Sequence, residues 1–581
     1  MHRKTVPALA LAAALVAFTG CASDEPRFDP RALGTSERRA SREFQSEPLR
    51  ALPTTLQSPF MPDESGNLNP NATPEAPAKR DLAPANQIVR LPLREITQRA
   101  VQHNLNVRVS GYQPAIDETR ITEAEARFDP EFFAGATFVA ERNAPSRLTN
   151  PNSDQFQFET GLRQLLPSGG QAELSFRPVR VNINDDVDNT TDITGNVNSG
   201  TFGDNSYWTS AIRLEVTQPL LQNFGNDINQ ARIIINRFNQ RISILDFRKD
   251  LEELIQNIEE TYWRLYQAQR TQSILESLLQ RTIDTADIVS KRFGQDVTLE
   301  QISTSVSRVE SARSDLIRAR QRVKDLGDQL KAFMNDPEYP IASETVILAA
   351  DEPLMVPVTF DFIDTVNTAL INRFDIGQQQ IRIDSASTSL GVAKNNLLPQ
   401  LNLVGSVGTV GGGQTNGENR DFRDAVNDNV DGTAELGYSI GLQFVHKLGN
   451  REARSIYRRA QLQRQQAITS YQALIEQATL EVKTATRDVE TSWQAIGQNR
   501  SARMAAGKAL DVINDREAGG EALRPDFIER KLQRQQELAN AEQAEAEAAA
   551  QYNIALSSLE RRKGTLLRYN NVILDEKMFK H

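Results

Sequence analysis

Apolar positions along this chain change their spacing in a fixed order, and the order occurs twice. From Leu93 to Phe128, Ile96, Ala100, Val101 and Leu105 recur at near-helical spacing. Asp129-Pro130 ends that helix, because the residue before a proline is pushed out of helical geometry. Phe132, Ala134, Ala136 and Phe138 then alternate with period two, the signature of a strand. A second alternation runs through Phe156, Phe158 and Leu162. A third, through Ala172, Leu174, Phe176 and Val179, follows a Pro167-Ser168-Gly169-Gly170 turn. Residues 182–206, rich in Asn, Asp, Thr and Gly, read as a loop, and a clean alternation from Trp208 to Val216 closes at Gln218-Pro219. From about Asp227 to Arg292 there is neither proline nor glycine, and Leu251, Ile255, Ile258, Tyr262 and Leu265 step by four and three in a heptad seam. Such a run predicts a helix of roughly 100 Å. Gly294 interrupts it, and a return helix is expected from about Thr298 to Met334.

The second pass runs in the same order. Asp361 to Asn396 reads as helix, and Leu398-Pro399 opens a strand through Leu401, Leu403, Gly405 and Val407. Gly411-Gly412-Gly413 and the Asp/Asn-rich stretch to Asp431 read as a loop. Leu436, Tyr438, Ile440 and Leu442 form the next strand. Leu448-Gly449-Asn450 mirrors Phe224-Gly225-Asn226 before a helix from Arg451 to Arg516. Gly519-Gly520 breaks it, and a return helix runs from Pro525 to about Arg562. The pairs Ala100/Ala369, Leu105/Phe374, Asn106/Asp375, Val107/Ile376 and Pro130/Pro399 all lie 269 positions apart. At the hairpin tips, Glu300-Gln301-Ile302 mirrors Asp526-Phe527-Ile528 at an offset of 226. The shorter offset arises because Phe156 to Val181 has no counterpart in the second pass. A helix-strand-strand-helix unit has been duplicated, over residues 89–340 and 341–565, with a tail at 566–581.

Composition narrows the function. Of 581 residues, 39% are hydrophobic and 24% charged, and the net charge of −10 is spread over 66 basic and 76 acidic residues, so no basic cluster favours nucleic acid. Gln, Arg, Glu and Ala crowd the predicted helices, as in coiled coils. His2, Arg3 and Lys4 precede an apolar run from Val6 to Phe18, too short to span a membrane, so residues 1–20 read as an export signal. Cys21, the single cysteine, follows at once and excludes an internal disulfide framework. It resembles the acceptor of a bacterial lipoprotein box, from which Phe18 and Thr19 depart; the plainer reading is an unmodified cysteine near an ordinary cleavage site. Residues 21–88, rich in Pro, Ser, Arg and Asn, read as an extended tether. No later segment has eighteen consecutive apolar residues. A membrane crossing therefore requires a closed β-barrel.

Taken together, several motifs resemble the TolC-like outer membrane factor family. They are Asn104-Leu105-Asn106-Val107 and Arg373-Phe374-Asp375-Ile376, Phe128-Asp129-Pro130 and Leu397-Leu398-Pro399, Gln218-Pro219-Leu220-Leu221 with Gly225, and Arg292-Phe293-Gly294. The resemblance covers most of residues 90–565 and is of the lipoprotein type. It implies an α+β membrane protein in which three protomers jointly close one β-barrel in the outer membrane, joined to a long periplasmic α-helical barrel. Four strands from one chain cannot enclose a water-filled lumen, but strands from three can. Rods with narrow apolar seams need neighbours to bury them. The implied function is a passive exit duct of a tripartite efflux pump for small molecules or drugs, working with a periplasmic adaptor and an inner membrane transporter. The alternatives are a duct for protein secretion of the type I kind and a non-spanning periplasmic scaffold lipoprotein. By analogy with lipoprotein sorting in Gram-negative bacteria, Ala22 in place of Asp directs the chain to the outer membrane.

The resemblance also points to the hairpin tips. An acidic ring drawn from Asp515, Glu517 and Glu521 would narrow the periplasmic mouth and favour cations; the plainer reading is a solvated acidic turn. Arg292, Gly294, Arg516 and Gly519 are candidates for adaptor docking, with the glycines equally well explained by left-handed turn geometry. Two departures from the family pattern stand out. Val445-His446-Lys447 replaces the junction proline, so the second junction is expected to bend differently. The Phe156–Val181 hairpin either enlarges the barrel or forms an extracellular flap, and the flap is the expectation. No catalytic pair, metal constellation or cofactor loop emerges. His2, His103, His446 and His581 do not cluster, and no Lys-Ser/Thr follows Gly411-Gly412-Gly413. Trp208 and Tyr438 are candidates for an aromatic girdle.

Overall fold

The computed structural model describes residues 88–141, 152–184, 205–292, 297–415, 418–419, 421–520 and 524–572. Cys21, Gly294 and Glu521 lie outside the described residues, as do the leader and nearly all of the tether. In chain order the elements are β1 (Ile88–Leu91), α1 (Leu93–His103), α2 (Leu105–Glu125), β2 (Glu131–Glu141), β3 (Asn152–Leu165), β4 (Gln171–Asn184), β5 (Asn205–Pro219), α3 (Asn226–Asn229), α4 (Ala231–Lys291) and α5 (Leu299–Met334). There follow β6 (Val346–Ala349), α6 (Phe362–Asn372), α7 (Phe374–Asn395), β7 (Gln400–Gly412), β8 (Gln414–Thr415), β9 (Glu418–Asn419), α8 (Phe422–Asp431), β10 (Glu435–Val445), α9 (Arg451–Ala518), α10 (Pro525–Arg562) and α11 (Leu566–Tyr569).

The heptad seam does what its spacing demands. Leu251, Ile255, Ile258, Tyr262 and Leu265 are completely buried along α4. This 61-residue helix pairs with α5, while the 68-residue α9 pairs with α10. The two hairpins join where α10 packs on α4, and α2 and α7 pack along the same rod. Gly497 and Gly507 do not interrupt α9. Where the sequence reads one helix from Leu93 to Phe128, Asn104 divides it. Its side chain accepts hydrogen bonds from the amides of Asn106 and Val107, capping α2, and donates to the Phe333 carbonyl at the end of α5. Arg373 breaks the second copy at the equivalent place, between α6 and α7.

Two short strands escape the pattern. β1 and β6 pair in parallel, Ile88 opposite Val346 through Leu91 opposite Ala349, beside the middle of α4. Tyr262 fixes them: its hydroxyl accepts from the amides of Ala350 and Asp351 and donates to Asp351 Oδ2, which also accepts from the Leu93 amide. Burial holds the Tyr262 phenol protonated far above its ordinary range, despite those amide hydrogen bonds. At the other end of the chain, Leu566 and Leu567 of α11 are buried against Val101, Val107 and Phe247, so the segment read as a tail begins inside the body.

The main sheet has six strands in the order β10-β7-β5-β4-β3-β2, every neighbour antiparallel. This corrects the expectation of a flap. β3 and β4 are bonded along their lengths between β2 and β5, because their alternation matches both faces of those neighbours and leaves neither edge unpaired. The Asp/Asn-rich loop is also corrected, for it contains β8, β9 and the helix α8. Phe422, Ala425 and Asn429 repeat on one helical face, and Gly432 ends the helix at φ 73°. The two junctions differ as well. After β5 a single turn, α3, precedes α4, whereas β10 leads through Gly449 and Asn450, both at positive φ, directly into α9.

Candidate functional site

The register sorts the sheet into two chemically distinct faces. Leu162 lies opposite Leu174, which lies opposite Leu214, then Val407, then Tyr438. By alternation the same face carries Phe132, Phe138, Phe156, Phe158, Phe176, Ile212, Leu403, Ile440 and Leu442. The opposite face carries Arg163, Glu159, Arg177, Glu173, Glu215, Arg213, Ser406 and Ser439. Ion pairs cross it between Arg163 and Glu131 (2.8 Å) and between Arg177 and Glu159. One face thus suits lipid and the other water. β5 passes through Pro219 toward α4, so the Asn205 end of the sheet is the one remote from the rods.

At that remote end, α8 lies on the apolar face. Phe422 meets Trp208 edge to face, with ring centroids 5.2 Å apart. Ser210 Oγ donates to the Ala425 carbonyl at 2.6 Å, and Asp428 Oδ2 accepts from the Gly412 amide. Gly412 stands at φ +88°, and a Cβ there would come within 2.3 Å of the Trp208 carbonyl, so only glycine fits. Of the two girdle candidates, Trp208 is half-buried by α8, while Tyr438 on β10 is 84% exposed.

At the opposite end of the rods the two hairpin tips share one apolar cluster. Val289 and Val297 come from the first tip, and Ile513, Phe527, Ile528 and Leu532 from the second. Around this cluster the sequence candidates separate. Asp515 is exposed, and its carbonyl accepts from the Gly519 amide. Glu517 is turned back on its own hairpin by Lys531. The left-handed residue of the turn is Gly520, at φ +85°; Gly519 has ordinary helical geometry. Arg292 caps α4 half-buried, Arg516 is exposed, and each has an interaction partner. The structure therefore brings Arg292 and the Asp515–Gly519 segment to one end of the molecule. Among the described residues no group of His, Cys, Asp and Glu could hold a metal ion, and no helix is long and apolar enough to cross a membrane.

One charged network was not foreseen. Arg373 forks onto Asp375 (Nε to Oδ1 3.0 Å, Nη2 to Oδ2 2.6 Å) and reaches Glu481 at 2.8 Å, which also pairs with Arg562 at 2.9 Å. Burial opposes ionisation of both carboxylates, but the hydrogen bonds and charge of Arg373 carry them below their usual range. Arg373 and Asp375 stand where the first copy has Asn104 and Asn106, and that charged replacement was the available signal. Glu481, about a hundred residues away on α9, gave none.

Residues 365–512 match the family model for outer membrane efflux proteins. No curated protein sequence matches the chain. Solved structures extend the likeness over nearly the whole described body. The Campylobacter jejuni CmeC outer membrane channel is 15% identical, covering 84% of this chain and 90% of its own, with a TM-score of 0.54. The outer membrane protein VceC of Vibrio cholerae is 15% identical, with coverage of 81% and 96% and a TM-score of 0.55. The open state of the Neisseria gonorrhoeae MtrE outer membrane channel is 14% identical, with coverage of 85% and 97% and a TM-score of 0.54. The fold is that of the outer membrane channels with long helical hairpins.

Proposed function

We propose that this protein is the outer membrane exit duct of an efflux system, assembled from three copies and extending its helical hairpins into the periplasm. The observation that carries the reading is the two-faced sheet, whose edges β2 and β10 have no further partner strand among the described residues, joined to the long rods. Lipid suits one face and a watery lumen the other, and a single sheet of this kind has no stable form until its edges close. The duct performs no chemistry; an inner membrane transporter supplies the energy, and a periplasmic adaptor docks at the tips around Arg292, Gly294, Arg516 and Gly519. Asp515, Glu517 and Glu521 are the candidates for an acidic gate. Cys21 carries the lipid anchor, and Cys21→Ser should abolish fatty-acid labelling without changing assembly.

Single-particle imaging of protein extracted from membranes tests the reading. A three-fold tube capped by a barrel is the expected result. A lone rod without a barrel would replace the duct with a periplasmic scaffold.

A further inference from the structure

The duplicated unit accounts for four strands per chain, β2, β5, β7 and β10, yet the sheet has six. Resting on the channel reading, we infer that β2 of each subunit pairs with β10 of the next, so that three copies close an eighteen-stranded barrel instead of a twelve-stranded one. The β3–β4 hairpin then widens the outer membrane exit.

Three observations support this. The hairpin is built as barrel wall. Phe156, Phe158, Leu162, Leu174 and Phe176 continue the apolar face, while Glu159, Arg163, Glu173 and Arg177 continue the polar one. Each of its strands has 14 residues, more than the ~9–11 that a tilted strand needs to cross a bilayer. Direction is preserved too. Every neighbour in the sheet is antiparallel, so β2 and β10 at its edges run opposite ways and can pair across a subunit boundary. Adding two strands keeps that alternation, where adding one would break it. Finally, the edges match. β2 and β10 are both 11 residues long, and both are exposed almost throughout. An apolar edge of that length, with Tyr438, Ile440 and Leu442 bare, needs a partner strand. A second copy of this chain presents one of equal length with its apolar residues on the same face.

The consequence is a wide exit. At a strand spacing of ~4.8 Å and a tilt of ~40°, eighteen strands give a backbone diameter of roughly 36 Å, against roughly 24 Å for twelve. With a side-chain layer of ~5 Å on each wall, the lumen is roughly 26 Å instead of 14 Å. Selection by size is then left to the helical end of the duct.

A three-fold-averaged reconstruction of the full-length protein, at a resolution that separates strands, decides the matter. Eighteen strands, with residues 152–184 in the wall, is the expected result. A closed twelve-stranded barrel with that hairpin outside the wall would overturn this inference and leave the channel reading intact. An open sheet without a three-fold axis would overturn both. In membranes, Ala136→Cys combined in turn with Tyr438→Cys, Ile440→Cys or Leu442→Cys should crosslink subunits into oligomers in at least one combination. Absence of crosslinking in all three would count against the β2–β10 seam.

Discussion

Lys531 Nζ lies 2.5 Å from Glu517 Oε2, with the lysine side chain 7% exposed and the carboxylate 20%. Glu517, one of three acidic residues offered for a gate beside Asp515 and Glu521, is therefore the counter-ion of a buried lysine. Glu517→Gln should strip Lys531 of that partner and loosen the second tip by about 1–3 kcal/mol, because an uncompensated buried charge costs more than a lost surface pair. Asp515→Asn should leave stability unchanged and alter only the ion selectivity of the duct. Hydrogen exchange at residues 510–532 and reversal potentials in planar bilayers separate the two. Equal effects of both variants on selectivity would put Glu517 back on the lumen.

Arg373 joins α7 to α9 through Asp375 and Glu481. Both carboxylates are held below their ordinary range, so the network stabilises the fold above about pH 4, the unfolded carboxylate range, and is lost as pH falls through the lower folded values. Arg373→Met should cost about 3 kcal/mol at pH 7 and progressively less in acid. Arg373→Lys should recover only part, because lysine cannot fork onto Asp375. Thermal unfolding across pH checks both; an unchanged midpoint in Arg373→Met would show that the network adds no net stability.

Much of this architecture was legible because its signals are long. Over 61 residues the α4 seam leaves no ambiguity of period, and the offset of 269 between Pro130 and Pro399 fixes the repeat. What escaped was short or depended on distant partners. β1 and β6 have four residues each, too few for alternation to register, and are defined only by pairing across some 258 positions. α8 hides in a segment whose Asp and Asn content suggests a turn, because its apolar face is only Phe422 and Ala425 against Trp208 and Ser210. The hairpin was expected as a flap, not within the sheet, because alternation shows that a strand has two faces but not what lies beside it. At the tips, the sequence displays Glu517 but not Lys531 folding back upon it.

Glu252 sits on α4 with one carboxylate oxygen lacking a protein hydrogen-bond partner among the described residues. Burial pushes its carboxyl up to about 7, with Arg561 and Arg373 only partly offsetting the effect. The folded state therefore binds a proton that the unfolded chain releases between about pH 4.5 and 7. That contribution is full below this window and falls as pH rises through it. Glu252→Gln should flatten the decline and gain on the order of 1–3 kcal/mol at pH 8, with no change near pH 4.5. Unfolding midpoints at the two pH values give the answer; parallel pH profiles for both proteins would refute the assignment.

Ile212 and Leu214 share the apolar face of β5 with Trp208, whereas Thr209, Ala211 and Thr217 face the other way. Aspartate on the lipid side must be desolvated in hydrocarbon, while on the lumen side it remains in water. Trp208→Asp, Ile212→Asp and Leu214→Asp combined should abolish outer membrane assembly and leave protein in the periplasm. The matched triple Thr209→Asp, Ala211→Asp and Thr217→Asp should assemble normally and shift conductance toward cations. Membrane fractionation with trimer detection distinguishes them. Normal trimer levels in the first triple would mean that this face does not meet lipid, and the closed-barrel duct would have to give way to a scaffold that stands on the membrane without crossing it.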